Sequence, residues 1–175
     1  MSPSTPLPGD PIAEARRQWV EHGWPDAADG MAAVTSIMRT QQIMLARIEA
    51  VLKPFGVTFA RYELLTLLSF TRSGALPMKN ASARLQVHPT SVTNAVDLLE
   101  ATGYVRRVAH PTDRRTTLVE ITSAGKAIVK AATARLNAEV FASPGLAKDD
   151  MESLIGILAG FRRDAGDYAD AARAD

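Results

Sequence analysis

Cysteine is absent from this 175-residue sequence, which excludes disulfides, thiolate metal sites and thiol-based redox sensing. Its three histidines, His22, His88 and His110, are widely spaced and match no metal-binding motif, so we expect neither a bound metal nor another cofactor. No apolar run approaches the roughly 18 residues of a membrane span, and the N-terminus lacks the basic and apolar segments of a secretory signal. We therefore expect no membrane partner and, by default, a cytoplasmic location.

The motifs of common enzyme classes are also missing. The sequence has no nucleophile elbow, phosphate-binding loop, paired metal-binding histidines or dinucleotide fingerprint. With 46% hydrophobic and 22% charged residues, the composition is typical of a folded globular protein with one substantial core. We predict that the protein is not an enzyme.

Positive charge is concentrated in one part of the chain. The net charge is only +1, but residues 72–115 contain seven Lys or Arg and three Asp or Glu, so this window carries +4 and the rest −3. A local basic patch attracts phosphate even when the whole protein is nearly neutral. A window of this size can also reach +4 by chance, so the asymmetry is only supporting evidence for nucleic-acid binding.

The most informative segment is a polar helix expected over residues 89–102. Pro89 suits the first helical position, and Gly103 supplies the left-handed residue that commonly ends a helix. Apolar residues at helical spacing would face a core, and polar residues would lie on the outward N-terminal half. The core-facing residues are Val92, Val96 and Leu99. The outward residues are Thr90, Ser91, Thr93 and Asn94.

Those outward residues match the chemistry of base recognition. Asn can form two hydrogen bonds with adenine, Ser and Thr can bond to any base, and a Thr methyl can contact thymine. The helix carries no Arg or Lys, so guanine recognition by it would be weak. Small polar residues also cap and solvate ordinary helices, and the helix alone does not decide between these interpretations.

The flanking segments favour DNA recognition. Residues 76–85 are expected to form a short helix and residues 86–88 a tight turn, which gives a helix-turn-helix. Residues 104–109 and 116–121 are rich in β-branched residues and flank a turn-forming segment, which predicts an antiparallel hairpin, or wing. Arg114 or Arg115 at its tip could enter a minor groove, and Asp113 could hold an Arg in place. A solvated Asp–Arg contact worth roughly 0–1 kcal/mol is the alternative.

Taken together, these segments resemble the multiple-antibiotic-resistance regulators, a winged helix-turn-helix family often called MarR-type. The resemblance covers about residues 30–140. It includes the wing motif Pro111-Thr112-Asp113-Arg114-Arg115 and the matching residues 56–58, 64–68, 85, 92–94, 99–100, 103–107 and 121–125. His110 departs from the family, which usually has Asp before the Pro of the wing. This difference could make the wing less acidic or its conformation sensitive to pH.

The resemblance implies a homodimer that binds a pseudo-palindromic operator in double-stranded DNA and is released by a small phenolic or other anionic effector. We expect it to act as a repressor. The candidate DNA-binding residues are Lys79, Arg84, His88, Thr90, Ser91, Thr93, Asn94, Arg106, Asp113, Arg114 and Arg115.

An effector in this family usually occupies a crevice between the dimerisation helices and the winged module. The candidate lining residues are Trp19, Met38, Gln41, Phe59, Tyr62 and Phe70. Aromatic and Met residues at helical spacing are also ordinary core residues, so that interpretation stays open. The helix that carries Trp19 resembles one in the urate-responsive branch of the family. Phe70 and Ala95 replace the arginines of that branch, so urate specificity is not implied.

The predicted fold class is mainly α with a β wing, a winged helix-turn-helix flanked by dimerisation helices. We expect a proline-rich disordered tail at 1–11, N-terminal dimerisation helices at 12–57, the winged module at 58–121 and C-terminal dimerisation helices at 122–175. Asp29 is expected to cap a long helix that reaches Lys53, and Thr58 to cap the next. The last helix is expected to run from Lys148 to about Asp170.

One alternative function uses the same features. A sequence-nonspecific architectural protein would also have a basic patch, and a recognition helix without Arg fits it. Preference for one DNA sequence over random DNA at fixed salt distinguishes the two functions.

Overall fold

The computed structural model describes residues 7–86, 88–113 and 115–169, which are mainly helical with one small antiparallel sheet. The chain forms two compact units whose boundary lies between Leu136 and Asn137. The helices of the first unit are α1 (Pro11–Glu21), α2 (Pro25–Leu52), α3 (Phe59–Ser69), α4 (Met78–Leu85), α5 (Pro89–Ala101) and α6 (Ser123–Leu136). Its strands are β1 (Ala75–Pro77), β2 (Val105–Ala109) and β3 (Thr117–Ile121). This architecture confirms the predicted winged helix-turn-helix fold.

The first two helices form a hairpin at the N-terminus. The Asp10 carboxylate accepts a hydrogen bond from the Ile12 N–H at 2.9 Å and caps α1. Residues 1–6 of the predicted tail lie outside the described residues. The ring centroids of Trp19 and Trp24 lie 5.5 Å apart in an edge-on arrangement where the two helices meet.

Helix α2 begins four residues before its predicted cap. Pro25 occupies the first position of α2, where the missing N–H of proline has no intrahelical partner in any case. The prediction that Asp29 caps this helix is therefore wrong, because Asp29 lies within α2 and its carboxylate pairs with Arg16 on α1 at 2.5 Å. The predicted end is confirmed, since α2 stops at Leu52 and a 3-10 turn, Lys53–Phe55, follows.

The core lies beneath the winged module. The Thr58 hydroxyl accepts a hydrogen bond from the Arg61 N–H at 3.4 Å and caps α3, as predicted. Leu64, Leu65 and Leu68 of α3 are fully buried in the same core as residues from the other elements. The largest fully buried side chains are Leu52, Leu64, Leu65, Leu68, Leu99, Leu136, Val92, Val96, Val105 and Val119.

The sheet contains one strand that was not predicted. The sequence favoured a helix over residues 76–85, but Ala75–Pro77 form β1 and the helix starts only at Met78. Strand β1 pairs with β3, which places Leu76 opposite Val119 in the core. Pro77 ends the strand at the edge of the sheet, where its missing N–H costs no ladder hydrogen bond.

The hairpin and the recognition helix agree closely with the sequence prediction. Strands β2 and β3 pair in register from Val105 opposite Ile121 to Ala109 opposite Thr117, which confirms the wing. Helix α5 begins at Pro89 and is followed by Gly103 at a φ of +74°. In the turn before α5, Gln86 is left-handed at a φ of +53°, and Val87 lies outside the described residues.

The second unit contains a π-helical turn, Asn137–Phe141, and the helix α7 (Lys148–Asp164). The prediction that this helix continues to about Asp170 is wrong. It ends at Asp164, and Gly166 follows at a φ of +76°. Several large apolar side chains on α7 are exposed, namely Leu154, Ile155, Ile157 and Phe161.

Gly125 on α6 packs tightly against Tyr104 and Ile121 of the winged module. The Thr122 hydroxyl accepts from the Gly125 N–H at 3.1 Å and donates to the Gly103 carbonyl at 2.7 Å. A Cβ on Gly125 would lie 2.2 Å from the Tyr104 carbonyl oxygen and 2.8 Å from Cγ1 of Ile121. Neither α6 nor the start of β2 could keep its position with a larger residue there.

We therefore expect Gly125→Ala to destabilise the protein by about 1–3 kcal/mol, because overpacking against backbone forces the elements apart. Urea unfolding of the purified variants measures this free energy. Gly30→Ala is the matched control, since Gly30 lies within α2 and a Cβ there meets nothing within 4 Å. The control should be neutral or more stable by up to about 1 kcal/mol, because Ala favours helix. Equal effects of the two substitutions would contradict this account of Gly125.

Candidate DNA-binding surface

The outward face of α5 is polar and open to solvent at its N-terminal half. The four predicted contact residues there, Thr90, Ser91, Thr93 and Asn94, are all exposed. The Thr93 hydroxyl donates to the Pro89 carbonyl at 3.1 Å, so one of its hydrogen bonds is made within the helix. The opposite face holds Val92, Val96 and Leu99, each at most 2% exposed. Burial of that stripe fixes which residues α5 presents outward.

The start of α5 is capped by a histidine. His88 Nδ1 accepts a hydrogen bond from the Thr90 N–H at 3.3 Å, so this ring nitrogen must carry no proton. His88 is itself exposed beside the contact residues. On the preceding helix α4, the predicted cations Lys79 and Arg84 are also exposed. The first helix of the motif therefore carries positive charge, and the N-terminal half of the second carries neutral polar groups.

The tip of the wing is held by a small hydrogen-bond network. His110 Nδ1 accepts from the N–H groups of Thr112 and Asp113, at 3.3 and 3.1 Å. The Asp113 carboxylate accepts from the Thr116 hydroxyl at 2.7 Å and from the Arg115 N–H at 3.0 Å. These two bonds, the hydroxyl first, lower the pKa of Asp113. Asp113 thus shapes the loop by holding the backbone of Arg115, and Arg114 lies outside the described residues.

Cations from two elements meet beside the wing tip. Lys79 on α4 and Arg115 on the wing line the same open groove of about 310 Å³, which Thr116 and Thr117 also line. The charge of Lys79 also contributes slightly to the lowered pKa of Asp113, which places it within electrostatic range of the loop. The Thr116 hydroxyl already donates its hydrogen to Asp113, so the two cations are the groups of this groove that suit a phosphate backbone.

Arg106 belongs to the sheet as well as to the surface. It lies opposite Glu120 in the register of β2 and β3, and its guanidinium bonds to that carboxylate at 2.9 Å. The hydrogen bond raises the pKa of Arg106 and lowers that of Glu120. About two thirds of the Arg106 side chain remains exposed, so the guanidinium is accessible from outside the sheet.

Arg107 was not among the predicted site residues, yet it links the wing to the recognition helix. Its guanidinium pairs with Asp97 at 2.5 Å and with Glu100, and its backbone N–H donates to Glu100 at 2.9 Å. The backbone bond, followed by the side-chain bond, lowers the pKa of Glu100. A sequence signal could have identified this cluster. It consists of two acids three residues apart on a helix, followed by consecutive arginines on a strand.

The predicted effector residues lie at several separate places in the first unit. Phe59 and Tyr62 stack with ring centroids 6.3 Å apart, and the Tyr62 hydroxyl bonds to Thr133 on α6 at 2.8 Å. Trp19 contacts Trp24 in the N-terminal hairpin. Met38 and Gln41 are exposed on α2. Phe70 is 83% exposed at the other end of α3, about 16 Å along the axis from Phe59.

The part of the chain that the structure describes contains neither a candidate metal site nor a candidate membrane-spanning helix. Residues 7–86, 88–113 and 115–169 contain no cluster of three or more His, Asp or Glu side chains arranged to hold a metal ion. Within the same ranges, no helix combines the length and the apolar character needed to cross a membrane.

Comparison with known proteins gives the family. The sequence profile of the MarR family matches residues 55–116, which contain the helix-turn-helix and most of the wing. The chain is 32% identical over 96 residues to the HTH-type transcriptional regulator PrsX of Escherichia coli. The match covers 55% of this chain and 58% of PrsX, so the chain spans little more than half of this curated relative.

Solved structures extend the match over most of the chain. Sco5413, a MarR family transcriptional regulator from Streptomyces coelicolor, is 46% identical with a TM-score of 0.73, and the match covers 81% of this chain and 99% of Sco5413. Sco3205 from the same organism, solved in complex with DNA, shares the fold at 21% identity with a TM-score of 0.69, covering 85% of this chain and 92% of Sco3205. The chain therefore belongs, as its sequence predicted, to the MarR family of DNA-binding transcriptional regulators and not to a family of enzymes.

Proposed function

We propose that this protein is a homodimeric repressor that binds a pseudo-palindromic operator and releases it when an anionic effector binds. The observation that carries the proposal is the neutral polar face of α5 beside the groove that Lys79 and Arg115 share. The helix supplies groups that can discriminate bases, and the groove supplies cations for the backbone of the same duplex. Sco3205, which has this fold, was solved with DNA.

The dimer is proposed from apolar surface that each unit leaves exposed. On α2 the exposed large apolar residues are Val34, Ile37, Met38, Ile43 and Leu45. On α7, in the second unit, they include Ile155, Ile157 and Phe161, each at least two thirds exposed. A second copy of the chain would remove such surface from water. To dock in successive major grooves, the two copies of α5 in such a dimer must lie about 34–36 Å apart, one turn of DNA.

The operator proposal is tested by sequence preference. The dimer should bind a selected palindromic site roughly 10³-fold or more tightly than random DNA at the same salt concentration, as sequence-specific regulators do. A duplex with only one half-site should bind far more weakly, because each protomer reads one half. Equal affinity for the selected and random duplexes would instead identify the protein as an architectural DNA-binding protein.

Asn94→Ala tests base recognition by helix α5. Removing the amide should flatten the preference at one or two positions in each half-site, at a cost of about 1–3 kcal/mol on the preferred base. Site selection from a random library with both proteins measures this change. Asn80→Ala on α4 removes the same exposed amide away from α5 and should leave the selected motif unchanged. An identical motif from the Asn94 variant would exclude base recognition by Asn94.

Arg115→Ala tests the wing. The variant should bind the operator more weakly, and the slope of log K against log salt concentration should fall by about one, because one cation near the phosphates is lost. Titrations at several salt concentrations give both quantities. Arg17→Ala on α1 removes an exposed cation that the proposed surface does not include, and it should alter neither quantity. An unchanged slope for the Arg115 variant would show that the wing does not approach DNA.

The effector is proposed to bind in a groove between α2 and the start of α3. This groove has a volume of about 680 Å³, is lined by Ala46, Ala50 and Val57, and carries Lys53 and Arg61. That size lies within the usual range for ligand sites, and the two cations favour an anion with an apolar body. Glu49, which also lines the groove, accepts from the Phe59 N–H at 2.8 Å and so joins the groove to α3. The six residues predicted from the sequence remain candidates for ligand contacts made within the dimer.

This effector site predicts a defined ligand preference. Aromatic carboxylates should release the protein from its operator, whereas the corresponding amides should not, because only the acids complement Lys53 and Arg61. Arg61→Gln should raise the concentration of acid needed for release about tenfold or more, as expected for a charge-assisted contact. Operator release followed by fluorescence anisotropy measures both effects. Equal potency of acids and amides would exclude this groove as an anion site.

A further inference from the structure

Three charged side chains join the two elements proposed to touch DNA. Arg107 extends from β2 of the wing, and Asp97 and Glu100 extend from neighbouring turns of α5. The guanidinium contacts both carboxylates, and the Arg107 N–H adds a third bond to Glu100. We call these three residues the Arg107 clamp.

The Arg107 clamp differs from the neighbouring ion pair on the wing. Arg106 and Glu120 lie opposite each other on β2 and β3, so their contact stays within the sheet. The clamp instead spans the sheet and the recognition helix. The Arg107 side chain is 30% exposed, against 65% for Arg106, so its guanidinium is better shielded from water and salt, while its two carboxylate partners are more exposed than Glu120.

The charge of the clamp does not favour DNA. One guanidinium faces two carboxylates, so the cluster carries a net charge of −1 close to a surface that should meet phosphate. An attractive role would need an unpaired cation there. The cluster instead fixes the relative positions of its residues. A planar guanidinium can hold two carboxylates in fixed directions, whereas a lysine ammonium lacks this fork of donors.

We infer that Arg107 is a positioning residue for DNA binding. By holding β2 against α5, the clamp fixes the wing tip relative to the recognition helix, so that Arg115 and Asn94 engage neighbouring grooves at the same time. The base of the hairpin stays anchored in the core by Val105 and Val119, but without the clamp the outer part of the wing moves relative to α5. This inference rests on the proposed function, in which both elements bind one duplex.

The test compares the effect of Arg115→Ala in different backgrounds. In the otherwise unchanged protein this substitution should weaken operator binding roughly tenfold, the loss expected for one groove-inserted arginine. With the clamp broken by Arg107→Gln, or by Asp97→Asn with Glu100→Gln, the same substitution should cost about twofold or less, because a freely moving wing contributes little. Glu120→Gln is the control, since it breaks an ion pair within the sheet and should preserve the tenfold effect.

The two ways of breaking the clamp separate positioning from charge. Arg107→Gln makes the surface more negative, whereas Asp97→Asn with Glu100→Gln makes it more positive. Both should weaken operator binding if the clamp acts by position. Opposite changes in affinity that follow the net charge would overturn the inference.

Two milder variants distinguish loss of the clamp from unfolding of the protein. Arg107→Lys can pair with one carboxylate and should give an intermediate effect of Arg115→Ala. Asp97→Asn alone changes a half-exposed side chain and should reduce the effect of Arg115→Ala while leaving the melting temperature nearly unchanged. A tenfold effect that persists in every folded clamp variant would overturn the inference while leaving the proposed function intact. No effect of Arg115→Ala in the unchanged protein would instead refute the wing contact itself.

Discussion

Burial of one side of α5 controls the orientation of the surface that we propose meets DNA. Val92, Val96 and Leu99 are almost completely enclosed, and each contributes roughly 1.5–3 kcal/mol of apolar burial. Because these residues lie three and four positions apart on one side of the helix, the helix cannot rotate about its axis without exposing them. The exposed polar residues at its N-terminus therefore point outward as a consequence of core packing. The contacts of α3, α4 and β2 with the same core place the basic groups around that face.

The base of the wing is buried in the core through Val105, Val119 and Ile121, whereas its tip is held by polar contacts. The hairpin has five paired positions, and its tip depends on acceptors supplied by His110 and Asp113. A two-stranded hairpin is marginal alone, so its position depends on what it contacts. In the first unit, β1 extends the sheet on the far side of β3, and Arg107 ties β2 to α5. The extra strand and the ion cluster together turn a short hairpin into part of the DNA-binding module.

Local signals explain which parts of this fold could be predicted from sequence. Pro89 and Gly103 mark the ends of α5 by their own backbone preferences, and the β-branched runs around residues 110–113 indicate the hairpin. Strand β1 has no such signal, because its pairing with residues 118–120 depends on a partner about forty positions away. The start of α2 was misplaced because a proline at the first turn and an aspartate four residues later are both acceptable helix starts.

The candidate site could be predicted less completely than the fold. Exposed polar residues on α5 followed from its periodicity, but the pairing of Arg106 with Glu120 required the register of the sheet. The groove lined by Lys53 and Arg61 forms only because α2 and α3 meet at a 3-10 turn, which residue spacing alone does not specify.

The separation of charge from base recognition has an evolutionary consequence. The face of α5 that is suited to reading bases is electrically neutral, and the basic side chains lie on α4 and the wing. In the proposed function, substitutions among the small polar residues of that face alter the preferred sequence without changing the general attraction to DNA. Duplicated copies of such a protein could therefore acquire new target sites in single steps, each copy remaining able to bind while its preference shifts.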